Sequence, residues 1–189
     1  MKQRSRALRG AAVLALVVWL AAPLVTALAD EAPADPARTD FSGRWSPDFD
    51  RWQGIERLLD LQDAPWIVRQ AIGRVNAVEE ITQTDDQLIV EVDVPLPLPG
   101  KVQRCPFDNR LRDDQTPLGR PSRSRHYWED SRTLVHVHEL EDDAIGPYTL
   151  TARRRLSDDP DTMRIELTAS VPGEADHRAL QVYVRDRGH

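Results

Sequence analysis

Three histidines fall close together in this chain: His126, and the pair His136-x-His138. On an extended strand residues i and i+2 point to one side, so His136 and His138 present two imidazoles to a common point. That is half of a metal site, which takes three or four ligands. His126 across a turn, or Glu141, would have to supply a third group. Neither spacing anchors one, so no metal is expected. Cys105 is the only cysteine. It cannot form an internal disulfide, and no histidine stands near it in sequence to activate its thiol. There is no Gly-x-Ser-x-Gly elbow. The acidic pairs Asp85-Asp86, Asp113-Asp114, Asp142-Asp143 and Asp158-Asp159 each fall at an expected turn, where aspartate bonds nearby backbone. Nothing here specifies a reaction, so neither catalysis nor a cofactor is expected.

The elements that must position these residues begin after a processing segment. Lys2, Arg4, Arg6 and Arg9 form a basic stretch, residues 11–22 an apolar one, and Ala27-Leu28-Ala29 a small-x-small cleavage site. This reads as a signal peptide over 1–29. No cysteine lies near the site and Arg4 and Arg6 are not adjacent, so neither a lipid anchor nor a twin-arginine route is indicated. The product is expected in the periplasm or secreted, without stable membrane insertion after cleavage. Residues 30–39, rich in Pro, Ala and acid, are expected to be a disordered linker. Residues 40–187 then form one domain, long enough for a proper core.

Four of the 25 basic residues lie in the leader, which has no acidic ones. The mature chain therefore sets 21 Lys+Arg against 31 Asp+Glu. That balance argues against nucleic acid and against an anionic membrane surface as partners. A monomer is expected.

In Phe41-Ser-Gly43-Arg-Trp45 the aromatic residues and the glycine share one face of a short strand, with Ser42 and Arg44 on the other. Pro47 ends that strand. Apolar residues at 49, 52, 55, 58, 59 and 61 then have helical spacing, as do 67, 68, 71, 72, 75 and 78. Two short helices, 48–61 and 65–78, are expected as a hairpin. Beyond them the period becomes 2. Residues 81–94 read as two strands around Asp85-Asp86. The stretch 95–100, Pro-Leu-Pro-Leu-Pro-Gly, is a loop or an edge, since proline has no donor for a ladder. Short strands near 101–105 and 109–112, hairpins 125–141 and 148–170, and a last strand 177–186 complete the run. The expected fold is mainly β: an antiparallel up-and-down barrel of about 8–10 strands with a helix-turn-helix after the first. Closing that many strands leaves room for one small ligand.

With these elements placed, the chain resembles the lipocalin and fatty-acid-binding-protein (calycin) superfamily, and within it secreted bacterial lipocalin-like proteins. The resemblance rests on Phe41-x-Gly43-x-Trp45, on the helical pair after it, on "SRTLVHVHEL" followed by "YTLTARRRLSDDPDTMRIELTAS", and on a last strand containing Tyr183. It covers nearly all of 40–186. It implies a small hydrophobic ligand, such as a fatty acid, whose carboxylate two inward arginines and a tyrosine clamp. Arg154 matches the first arginine and Tyr183 the tyrosine. Gln181 stands at the second arginine's place, which leaves room for an alcohol, ester or neutral lipid. His136 and His138 match inward positions, and Trp66 heads the second helix at a lid edge. The resemblance also implies that Trp45 plugs the closed end, with Arg185 or Arg187 over its ring.

Periodicity leaves one choice open. Leu180, Val182 and Val184 share one face of the last strand, and Gln181, Tyr183 and Arg185 the other. Val135 and Val137 oppose His136 and His138 in the same way. A dry core takes the aliphatic faces, whereas a ligand cavity takes the polar ones. The first arrangement would be a filled barrel working by its surface in the envelope. The second would be a binding protein.

Overall fold

The period-2 runs become ten strands, and turn residues separate them. In the computed structural model residues 37–74, 77–93 and 101–187 are described. The leader, most of the expected linker and the proline-rich stretch 95–100 lie outside the described residues. The order is β1 (Gly43–Pro47), a single 3-10 turn (Phe49–Arg51), α1 (Ile55–Leu61), α2 (Trp66–Ala71), β2 (Val78–Gln83) and β3 (Gln87–Asp93). Then follow β4 (Lys101–Pro106), β5 (Arg112–Gln115), β6 (Pro121–Asp130), β7 (Thr133–Asp142), β8 (Gly146–Leu156), β9 (Thr162–Ser170) and β10 (His177–Arg185). They form one sheet in the order β4-β3-β2-β1-β10-β9-β8-β7-β6-β5, each pair antiparallel. Pairing the first strand with the last curls the meander into a barrel. Among the described residues no ladder joins the edge strands β4 and β5, so the barrel has a seam, across which β4 approaches β6.

Several local expectations change. The first helix does not run through 48–61. Gln53 instead pairs with Leu180 as an isolated bridge, and Gly54 takes φ +67. Backbone pairing with β10 outcompetes helical continuation there, and only α1 follows. The second helix stops at Ala71, and Val78, assigned to it by periodicity, opens β2. Asp113 and Asp114 lie inside β5 rather than at a turn. Thr39, the last residue of the expected linker, donates its N–H to Ser131 O at 2.8 Å.

Gly54 tests the bridge. A Cβ there would lie 2.4 Å from the Arg178 carbonyl oxygen, and φ is positive as well. Gly54→Ala is therefore expected to destabilise the protein by about 1–3 kcal/mol, the scale of stored backbone strain. A urea unfolding midpoint indistinguishable from wild type would contradict this.

Two apolar clusters fill the interior. One joins Phe41, Trp45, Ile81, Leu88, Met163 and Tyr183 with neighbours. The other joins Ile55, Leu58 and Leu61 of α1 to Leu140, Tyr148 and Ala179. Along β10 Ala179 belongs to the helical cluster and Tyr183 to the Trp45 cluster, so helix and plug sit toward opposite ends. The last carbonyl of α1 is pinned to the barrel: Leu61 O accepts from Arg120 Nη1 at 2.7 Å and from the Tyr148 hydroxyl at 2.9 Å. A cation at a helix C-terminus both satisfies a free carbonyl and complements the dipole.

Phe41 and Trp45 are fully buried, and Trp45 Nε1 donates to Phe41 O at 2.9 Å. Of the two candidate arginines, Arg185 covers the ring, its guanidinium carbon 4.3 Å from the centroid. It also donates to Ser42 O at 2.9 Å. Gly43 makes this approach possible. Its φ is +134, and a Cβ would lie 2.3 Å from Arg185 Nη1.

Candidate functional site

Register decides which face points inward. Tyr183 lies opposite Met163, and Gln181 opposite Ile165. Met163, Ile165 and Tyr183 all belong to the inner cluster, so the polar face of β10 is the inner one. The aliphatic face is not left exposed throughout, since Val182 is as buried as Tyr183. On β7 the inner set is Leu134, His136, His138 and Leu140, while Val135 and Val137 are buried on the other face.

Arg154 and Tyr183 meet inside the barrel, and a residue that sequence reasoning missed joins them. Glu79 of β2 is opposite Trp45 in the ladder. Its Oε2 lies 3.6 Å from Arg154 Nη1, and both side chains are 15% exposed. The Tyr183 ring is buried close to the same carboxylate, whose charge acts on its hydroxyl. Burial first, then the Glu79 charge, push the phenol well above its ordinary range, so it stays neutral. Arg154 also donates to Met163 Sδ at 3.6 Å. Glu79 Oε2 itself has no hydrogen-bond partner. The cluster is thus one cation and one anion with an acceptor to spare. The signal for Glu79 was a carboxylate two residues from Ile81, on the apolar face of its strand.

Gln181 faces inward, part-buried. Trp66 stands apart, 72% exposed at the head of α2 beside Ile67. The aromatic residue that does face the interior from the helical segment is Trp52. Its Nε1 donates to Val182 O at 3.0 Å and its ring lies 5.9 Å from that of Tyr183.

The histidines line the interior beside the seam. His126 lies opposite His136 in the β6–β7 ladder, and the ring centroids are 3.9 Å apart. His136 and His138 are 4.1 Å apart. His138 Nδ1 pairs with Ser122 Oγ at 2.9 Å. Cys105 reaches this group from β4, and the thiol is buried and free. Burial pushes the thiol up to about 12. Burial lowers His126 to about 4 and, with the neighbouring histidines, holds His136 well below its ordinary value. Both imidazoles are neutral near pH 7. The partner that the sequence spacing could not supply to His136 therefore comes from across the ladder and across the seam.

Two spaces adjoin these groups. A cavity of about 50 Å³ is bounded by His126, His136, Arg154, Cys105, Leu88 and Ile165. A larger pocket of about 330 Å³ lies among the helices, lined by Phe49, Trp52, Ile55, Leu59, Arg69 and Ile72. Trp52, which bounds the larger space, separates it from Tyr183.

No family model and no curated sequence matches the chain. Solved structures do. A fatty acid transporter, REP1-NXSQ, superposes with a TM-score of 0.59 at 11% identity, over 78% of this chain and 97% of that one. A Schistosoma mansoni fatty acid binding protein in complex with arachidonic acid gives 0.58 at 19% identity, over 77% and 96%. The chain therefore shares the antiparallel barrel fold of these two proteins. At these identities the likeness is one of fold.

Proposed function

We propose that this protein binds a small, largely apolar ligand carrying an uncharged polar head, and does so without catalysis, in the periplasm or outside the cell. The observation that carries the reading is the convergence of Arg154, Tyr183 and Glu79 inside the barrel, against Met163 and Ile165. Buried polar atoms are normally hydrogen-bonded, and Glu79 Oε2, ion-paired with Arg154, accepts no hydrogen bond. A hydroxyl head would donate to that oxygen and accept from Arg154. A carboxylate head would meet the Glu79 charge, because the arginine is already neutralised. Gln181 adds a neutral donor on the same face. Fatty acid ligands are named for both barrels of similar fold, which supports the apolar body of the ligand but not an acidic head.

The 330 Å³ helical pocket falls within the usual size range of small-molecule sites, about 300–1,000 Å³. Entry to the polar cluster requires Trp52 to move. The signal-peptide pattern of residues 1–29 supports export.

Displacement of a fluorescent lipid probe tests this. A long-chain alcohol is expected to compete better than the acid of equal length, and Glu79→Gln to reverse the order. A second reading, a filled barrel that acts by its surface in the envelope, is favoured by the small volume of the inner cavity, about 50 Å³. Absence of displacement by either lipid, together with no co-purified lipid by native mass spectrometry, would leave the filled barrel standing and sink the first reading.

A further inference from the structure

The group at the β4–β6 seam is not used by the lipid reading and stands independently of it. We propose that Cys105, His126 and His136 bind one divalent transition-metal ion, with zinc the best fit, at the inner wall of the barrel. The donor atoms of these three residues all lie within 4.8 Å of one another. Zinc bonds of roughly 2.0–2.3 Å in tetrahedral geometry place ligand atoms about 3.3–3.8 Å apart. Closing the set thus takes side-chain adjustments on the order of 1 Å and no change of fold. The backbone already holds the three together. His126 and His136 are ladder partners, and Asn109 N–H donates to His126 O at 3.0 Å, tying the segment after β4 to β6 across the seam.

A second observation points to a ligand. Nε2 of His126 and Nε2 of His136 are buried without a hydrogen-bond partner. Imidazole nitrogens in such surroundings are normally satisfied, and a metal ion would satisfy two neighbouring imidazoles and a thiol. The donor chemistry selects the metal. Imidazole with thiolate suits zinc and neighbouring transition metals, whereas calcium and magnesium take oxygen. Asp114 and His138 flank the far side of His136, with their donor atoms and that of His136 again within 4.8 Å. The Ser124 hydroxyl holds Asp114 at 2.6 Å and Ser122 holds His138. The shared imidazole thus stands between a sulfur-containing set and an oxygen-containing one, and the first is the zinc set. On binding, the Cys105 sulfur–hydrogen bond breaks, the sulfur–metal bond forms, and the proton passes to the buffer.

The test uses the full chain, stripped with a chelator and titrated with Zn²⁺ against a chromophoric competitor, then with Co²⁺ as a spectroscopic probe. One ion per chain is expected, with a higher thermal midpoint in excess Zn²⁺. The cobalt form should show a thiolate-to-metal charge-transfer band that Cys105→Ser abolishes. His136→Ala should weaken binding by more than the roughly 10–100-fold that loss of a supporting outer partner costs. His177→Ala, at a half-buried histidine outside the group, should bind as wild type. Failure of the wild-type protein to compete for Zn²⁺ would overturn the proposal. So would binding unchanged in His126→Gln and Cys105→Ser, or a cobalt spectrum without the thiolate band. The Cys105→Ser and His126→Gln variants keep the test decisive if His136→Ala does not fold.

Discussion

Trp45→Ala is expected to cost the fold roughly 3–5 kcal/mol, the scale for emptying a large aromatic from a packed core. Against a total stability of about 5–15 kcal/mol, that is enough to leave a substantial unfolded fraction. The cost has identifiable parts. Trp45 is fully buried, fills the end of the barrel where β1 meets β2 and β10, and closes a hydrogen bond to Phe41 O. It also supports Arg185, whose guanidinium lies on its face while bonding Ser42 O. Arg185→Ala should therefore destabilise by a smaller amount, about 1 kcal/mol or somewhat more, from the lost cation–π contact and backbone bond. Urea denaturation of the two variants measures both. A Trp45→Ala loss no larger than that of Arg185→Ala would show that the plug is not a major source of stability.

The second large effect concerns Glu79 and Arg154. Removing one member of a buried ion pair leaves an uncompensated charge, at a cost of about 3–5 kcal/mol, whereas replacing both by apolar groups is often neutral. Glu79→Leu alone would strand the Arg154 guanidinium. Arg154→Met alone would strand the carboxylate. The triple variant Glu79→Leu/Arg154→Met/Tyr183→Phe is expected to recover most of the stability that either single change loses, and to lose any selectivity for a polar head. Stability is read from chemical denaturation and selectivity from lipid competition. If the costs simply added, the three groups would not form one unit. Recovery of stability without loss of selectivity would separate the structural role of the cluster from the proposed binding role.

What could be read from the sequence followed from local chemistry. Turn residues and period-2 runs located the hairpins around Asp85-Asp86, over 125–141 and around Asp158-Asp159, because a strand's alternation and a turn's backbone demands act over a few residues. Phe41-x-Gly43-x-Trp45 marked the start of the barrel for the same reason. The glycine, the plug and the covering arginine each have side-chain requirements visible in the residue types. The helix 48–61 was misjudged because apolar spacing carries no information about Gln53 pairing with a strand that comes last in the chain.

Only the tertiary structure decided the rest. Alternation sorts a strand into two faces but does not say which is inner when both are buried, and Val182 and Tyr183 show that both are. Curling of the sheet made the polar face the inner one. Glu79 met Arg154 because the curl sets β2 across the interior from β8, and nothing local to either residue encodes that distance. Cys105 looked inert in sequence for lack of a nearby histidine. The seam placed it beside two, since the approach of β4 to β6 is a property of how the whole sheet closes. The sequence by itself determined the strands and their turns, the plug, and an interior containing arginine, tyrosine and histidine. Which of those groups face one another, and hence what head group or metal they can hold, depends on contacts between residues distant in the chain. Those contacts exist only once the sheet has closed.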